Sequence, residues 1–470
     1  MLGLLEATKS AASTASCAQR LGEHMLAVLL SPEKSTLTNL ICTTARQQED
    51  WTAHYRLYSR ERVEKSVLFD TVRGQLLAAL NPNAPLVVAM DDTLTRKRGA
   101  HIDGVAWRRD PLGPPFQTNL VRGQRFLQFS AAWPLENGQA RMVPIGFFHA
   151  PSARPPGKNA TVLQLAAYRE EQKQKTLNRQ ALVQMSRLRE QCESTRRIVF
   201  GGDGSYTNKT ILKNLPAQSV YLGRVRKDAT LHFLPQKEEA ARTGRRRGYG
   251  KQAPTPEELR TDESIAWQQI EAFAAGKRHP FRVKVLSSVL WRKSGADLPL
   301  MMMVIAPLAY RLRKGSRLLY PQPAYLICTD PEMAVEEFLQ SYLWRWGIEV
   351  NFREEKTLIG AGEAHVRTAP SNQHLPAVIV AAYALLWVSA LKLRKRGLQL
   401  PWLHPPKWRR RGREAKELFS TGELLRTLRF ETWSRALRPA TFYDFMTQSQ
   451  SSTKSEKLSP SLPSTLFNAA

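Results

Sequence analysis

Four residues of one short stretch, Tyr342, Arg345, Glu349 and Lys356, follow one another at +3, +4 and +7, so on a helix of about 3.6 residues per turn they share one face. One face can hold one job, and a carboxylate presented there can ligate a metal ion. Leu343, Trp346, Ile348, Val350 and Phe352 lie between them and supply the apolar surface by which such a helix would be held rigid. Read alone, the spacing equally describes a solvated charged face on an ordinary core helix, because charges at i, i+4 and i+7 are common.

Two more acidic positions stand in strand settings. Leu86, Val87, Val88, Ala89 and Met90 form a continuous apolar run of the kind expected for a strand buried on both faces, and it ends in Asp91, Asp92 and Thr93. A carboxylate at a strand tip is fixed in place yet can reach solvent and a metal. Ile198, Val199 and Phe200 likewise lead through Gly201 and Gly202, which let the backbone turn closely, into Asp203. Each is also readable as a plain strand-ending turn.

The pattern Y-x2-R-x3-E-x6-K, matched at all four positions without a gap, resembles the Tyr-Arg-Glu-Lys (YREK) signature of bacterial cut-and-paste insertion-sequence transposases of the DDE class. That resemblance implies a ribonuclease-H-like catalytic domain and two earlier aspartates at strand ends. Asp203 suits the second. The first is Asp91 or Asp92; the family's Asp-x-Thr form fits Asp91, and the motif leaves both open. The resemblance further implies that Asp91 (or Asp92), Asp203 and Glu349 hold two Mg2+ (or Mn2+) ions, that Arg345 and Lys356 bind phosphates beside the scissile one, and that Tyr342 packs near the same strand. The partners it implies are double-stranded DNA, as terminal inverted repeats and target, and a second copy of the chain in a homodimer on paired ends. Two other readings remain: a transposase-derived DNA-binding protein without catalysis, and a ribonuclease-H-like nuclease that cuts without strand transfer.

Composition agrees with a polyanion partner. The chain has 470 residues, 69 Lys and Arg against 41 Asp and Glu, a formal charge of +28 and a pI near 10.3, which attracts phosphate backbones. No Lys/Arg-rich amphipathic segment dominates, which argues against a membrane-surface protein. The start, MLGLLEATKSAAS, has no basic lead into an apolar run and so does not look like a secretory signal; a cytoplasmic, nucleoid-associated location is expected. Residues 375–391 are apolar but fall just short of a span and read as a buried helix. Cys17, Cys42, Cys192 and Cys328 lack metal-ligand spacing and read as free thiols of a reducing compartment.

These observations predict an α/β chain: a ribonuclease-H-like mixed sheet flanked by helices, interrupted by a largely β insertion, with a helical N-terminal domain and a basic C-terminal tail. Residues 1–82 are expected to be helical; the resemblance implies a domain that binds transposon ends, with Arg46, Arg56, Arg60, Arg62 and Lys65 available to phosphates, and the other reading is a structural helical cap on the catalytic domain. The catalytic core is placed at 83–226 and 321–392, with strands at 119–133 and 141–149 and a helix over 162–194 burying Leu165, Tyr168, Leu182, Met185 and Leu188. Residues 227–320 form the insertion; its Arg245, Arg246 and Arg247 suit a DNA backbone, and Trp291 either stacks on an unpaired base or packs in the core. His365 and Arg367, just behind the glutamate helix, are placed to touch DNA. Residues 393–447 mix Trp402 and Trp408 with basic clusters before a helix near 415–428, and 448–470 is a Ser/Pro-rich disordered tail.

Overall fold

A computed structural model describes residues 1–99, 102–110, 113, 119–235, 248–294, 298–311, 315, 318–397 and 419–434. The first helices are α1 (Leu2–Ala7), α2 (Ala15–Leu30), α3 (Leu37–Thr43), α4 (Thr52–Ser59), α5 (Lys65–Leu68) and α6 (Asp70–Ala79). Then come β1 (Leu86–Arg96), β2 (Ala106–Arg109), β3 (Leu120–Pro134), β4 (Ala140–His149), α7 (Val162–Gln174), α8 (Leu177–Glu190), β5 (Ile198–Gly202), α9 (Lys209–Leu212) and β6 (Ser219–Arg224). The middle of the chain forms β7 (Leu231–Phe233), α10 (Pro256–Thr261), β8 (Gln268–Ala274), β9 (Lys277–Trp291), β10 (Leu300–Ile305), β11 (Tyr310–Arg311), β12 (Leu318–Leu319) and β13 (Ala324–Cys328). Four helices follow: α11 (Val335–Trp344), α12 (Gly347–Thr357), α13 (Ala369–Lys395) and α14 (Thr421–Ser434).

Among the described residues eleven strands form one sheet, in the order β2-β3-β1-β5-β6-β13-β10-β9-β7, with β4 added beside β3 and β8 beside β9. Its centre is an antiparallel β4-β3-β1 meander continued by β5 and β6 parallel to β1, consistent with a ribonuclease-H-like fold. Within residues 227–320, β7, β8, β9 and β10 extend this same sheet, because β13 pairs antiparallel with β6 and brings β10 and β9 with it, while β11 and β12 pair with each other in a small second sheet.

Strand alternation splits the core in two. Val88, Met90 and Phe200 face one apolar cluster, which also takes up α2, α6, α8 and α13; Val87, Ala89 and Val199 face a second, closed by Phe338, Leu339 and Ile348 of α11 and α12. The N-terminal helices thus share a core with the sheet. Helix α13 is the one described helix long and apolar enough to cross a membrane, yet 89% of its most apolar window is buried inside the protein, as a core helix would be.

Several expectations need correction. The polar segment over 162–194 is two helices, broken where Thr176 turns out to cap α8 by accepting from Arg179 N. The first of them, α7, buries nothing: Leu165 is 40% exposed, so the predicted stripe holds only over Met185 and Leu188, with Leu182 half-buried. The strand β1 also does not stop at the aspartates. Pairing with β3 carries it to Arg96, opposite Gly123.

Candidate active site

Asp91 and Asp92 lie inside a strand, but at a place where one neighbour ends. The parallel pairing of β1 with β5 runs from Leu86–Ile198 to Ala89–Gly201 and goes no further, so the β5-facing edge of β1 is open from Met90 onward. Two residues past the last pair on each strand stand Asp91 and Asp203. Because side chains alternate, Asp91 shares a face with Ala89, and Asp92 points to the opposite face with Met90. There Asp92 accepts a hydrogen bond from the Tyr206 hydroxyl at 3.2 Å, and the Arg125 and Arg108 guanidinium groups oppose the upward push of burial on its pKa. Asp203 is held by a local turn in which Ser205 N and Oγ donate to its Oδ1 at 2.8 and 2.6 Å. Gly202 makes that turn possible: a Cβ there would stand 2.6 Å from the Tyr221 hydroxyl and 3.1 Å from Tyr206 Cβ.

The expected single helix over 342–356 is broken. Helix α11 ends at Trp344, and Arg345 and Trp346 make a tight turn, with Ile348 N donating to Arg345 O and Glu349 N to Trp346 O, before α12 begins. Trp346, expected to pack, sits on the outside of this corner and is 58% exposed. The corner lays the Arg345 stem over Gly201, where a Cβ would meet its Cγ at 3.7 Å. Its buried guanidinium then lies between carboxylates, 3.9 Å from Asp91 Oδ2 and 3.4 Å from Glu349 Oε1, 5.6 Å above the Tyr342 ring. Arg345 Nε and the Tyr342 hydroxyl are buried with no hydrogen-bond partner.

The electrostatics describe a surplus of negative charge. Burial, and next the Asp203 charge, push the Asp91 carboxyl up to about 7, against the pull of Arg345. Burial also raises Glu349, with Arg345 opposing. Among the described residues no three His, Cys, Asp or Glu side chains are drawn close enough to make a ligand cluster, and Arg345 stands between Asp91 and Glu349. The donors are nonetheless all hard oxygens, and a divalent cation would offset the burial and the Asp203 charge that raise Asp91, so in kind the residues fit magnesium or manganese.

One family sequence model, that of the DDE superfamily endonucleases, matches residues 15–296. The chain belongs to this family. No curated protein matches it in sequence. The match spans both aspartate strands and ends before Glu349, so the third carboxylate rests on its own signature and on the geometry above. Membership implies a nuclease or transposase acting on DNA, and members of the superfamily use divalent metals.

In this DDE-family chain the other predicted residues fall into three groups. Lys356 is exposed on α12, near enough to Arg96 at the end of β1 for the two charges to repel, and Arg367 and His365 are exposed beyond it. Trp291 is 9% exposed, pairs opposite Leu231 and belongs to the core, which corrects the stacking role. Arg245, Arg246, Arg247, Trp402, Trp408 and the tail 448–470 lie outside the described residues. Sequence reasoning missed Lys97, whose buried ammonium donates to Gly362 O at 3.1 Å and Ala364 O at 3.0 Å and so ties β1 to the segment bearing His365 and Arg367. Its neighbours in the basic run Arg96-Lys97-Arg98 disguised it as one more surface charge.

A pH dependence follows. The Asp91 carboxyl rises in the fold from 3.8 to about 7, so the ion-free fold loses stability as pH rises between those values, where an unfolded chain would ionise and the folded one resists. A bound divalent ion needs the ionised form. The increase in Tm on adding magnesium is therefore expected to be small at pH 6, to grow through pH 7 and to level off by pH 8, as measured by scanning fluorimetry. A magnesium shift equal at both ends of that range would separate Asp91 from the ion.

Proposed function

We propose that the chain is a DNA transposase of the cut-and-paste, YREK-bearing insertion-sequence group, which cleaves the ends of its own element and transfers the freed 3′-hydroxyl strand to target DNA. The observation that carries this reading is the juxtaposition of Asp91 and Asp203 at the end of the β1–β5 pairing, opposite a helix corner that delivers Arg345 and Glu349. Asp91, Asp203 and Glu349 would hold two magnesium or manganese ions, which supply an activated nucleophile and neutralise the leaving oxygen.

The protein's own contribution is placement. Arg345, buried with one N–H unpaired, passes from Asp91 to a DNA phosphate when the duplex arrives, which frees the carboxylates to face one another. Lys356 and Arg96 continue the cationic track along the outer face of α12. The helices of residues 1–82, with Arg56, Arg60 and Arg62, read the element ends, and two copies act on paired ends.

The test is an assay of the full chain on a labelled duplex carrying the element's terminal repeat, with and without magnesium, beside a target plasmid. Metal-dependent nicking with joined product is expected. Nicking without joining would leave a nuclease, and binding without nicking a DNA-binding descendant.

A further inference from the structure

The face of α12 turned away from Glu349 is held by an unusual density of buried polar bonds. Asn351 and Glu355, both buried, point at β3, where Asn351 Nδ2 donates to Ser130 Oγ at 3.1 Å and Gln128 Nε2 donates to Glu355 Oε1 at 2.9 Å. Glu354 points sideways, and one of its oxygens, Oε2, is met by three elements. Arg141 of β4 donates at 2.5 Å, the Tyr383 hydroxyl of α13 at 2.7 Å and the Thr421 hydroxyl of α14 at 2.7 Å. The set closes on itself. Trp387 Nε1 donates to Thr421 Oγ1 at 3.1 Å, the Arg141 guanidinium stacks 3.7 Å over the Trp387 ring, and the Tyr383 hydroxyl reaches Asn351 Oδ1 at 3.2 Å.

Helix α14 is fixed at its other end as well. Arg429 donates to Leu29 O at 3.2 Å and to Ser31 O at 2.6 Å, at the C-terminal end of α2, and Leu424 and Leu425 are buried. One helix near the end of the described chain therefore bonds both to the N-terminal helices and to the helix that carries Glu349.

We propose that α14 is a clasp on the catalytic helix, in which the Thr421 hydroxyl, acting through the half-buried Glu354 carboxylate, is a positioning group that fixes the angle of α12 and so the reach of Glu349. The inference rests on the reading of Glu349 as a working carboxylate. A half-buried carboxylate with three donors specifies one arrangement, because each donor left unpaired by a shift of the helix costs a polar group its partner. Three elements from distant parts of the chain, β4, α13 and α14, meet α12 at that oxygen, so the orientation of α12 reports whether they are assembled.

The test uses full-length Thr421→Val and Thr421→Ser. Valine keeps the shape and loses only the hydroxyl. The start of α14 survives, because Ser420 and Glu423 cap it reciprocally, Ser420 N donating to Glu423 Oε2 at 2.7 Å and Glu423 N to Ser420 Oγ at 3.3 Å. In protein free of metal and DNA, amide exchange across residues 347–357 is expected to speed up about tenfold in Thr421→Val, the factor one hydrogen bond to a charged group is worth, with α2 amides unchanged. Cleavage should fall by a similar factor and the half-saturating magnesium concentration should rise, while affinity for end DNA stays within about twofold; serine should restore all three. Unchanged exchange in α12, or faster exchange spread evenly over the chain, overturns the clasp. If α12 loosens but neither Thr421→Val nor Glu349→Gln affects cutting, the clasp stands and the catalytic reading of Glu349 is what fails.

Discussion

Asp91→Asn is expected to lower strand cleavage by on the order of a thousandfold, and Asp92→Asn by no more than about tenfold, although the two residues are adjacent. The difference comes from the face each occupies. Asp91 stands beside Asp203 and Arg345, and its amide replacement would lose a charged ligand from a site whose metal contribution amounts to several kcal/mol, at about 1.4 kcal/mol per factor of ten. Asp92 looks the other way and is bonded to Tyr206, a bond that asparagine can still accept. The two variants should also part in stability. Removing a carboxylate that burial and Asp203 hold near 7 relieves repulsion, so Asp91→Asn is expected to raise Tm in the absence of metal, a gain in stability bought with lost activity. Asp92→Asn leaves Arg108, whose Nε and Nη2 are buried without partners, less compensated, and should lower Tm. Cleavage rates at saturating magnesium beside melting curves decide the matter, and equal losses in both variants would mean that both carboxylates, and not Asp91 alone, serve the reaction.

How much of this was legible in the sequence depends on the length scale of the signal. The apolar runs before Asp91 and Asp203 announced buried strands because both faces of β1 and β5 are covered, and a doubly covered strand has no polar alternation to hide it. Their pairing was not legible. The same run of residues 86–90 would serve beside any partner, and only the register of Ala89 with Gly201 says that the strands part company two residues before the acids. The motif leaned to Asp91 by its Asp-x-Thr form yet left Asp92 open for the same reason, since the choice is one of face.

The helix break at Arg345–Trp346 was hidden by a periodicity that survives it. Arg345 and Trp346 keep right-handed helical backbone angles through the turn, and Arg345 still lies against both Tyr342 and Glu349, so the spacing fits a continuous helix and a bent one alike. Trp346 held the clue: an indole inside an apolar stretch yet 58% exposed marks the outside of a corner. Least legible was the Glu354 network. Adjacent Glu354 and Glu355 have the look of surface charge, yet Glu355 is buried and Glu354 half-buried, because Arg141, Tyr383, Thr421 and Gln128 arrive from four other segments, a coincidence of tertiary structure that no local pattern encodes.

Glu349→Gln is expected to leave the affinity for a terminal-repeat duplex within about twofold and to remove cleavage by on the order of a thousandfold. What Glu349 touches decides both effects. Among the described residues its one ion pair is the loose contact with Arg345 at 3.4 Å, and burial raises its carboxyl against that pull, so the fold gains little from its charge. Glutamine keeps the volume and the hydrogen-bonding oxygen, and Tm should stay level or rise slightly. With Glu349 neutral, Arg345 retains Asp91 as a partner, and the Arg345, Arg96 and Lys356 charges proposed to meet phosphates are undiminished; the net charge toward DNA becomes one unit more positive. Binding without cutting is the signature of a carboxylate spent on chemistry. A variant that still nicks at more than about a tenth of the wild-type rate would remove Glu349 from the reaction and leave the DNA-contacting reading of the Tyr342, Arg345 and Lys356 face to stand without it.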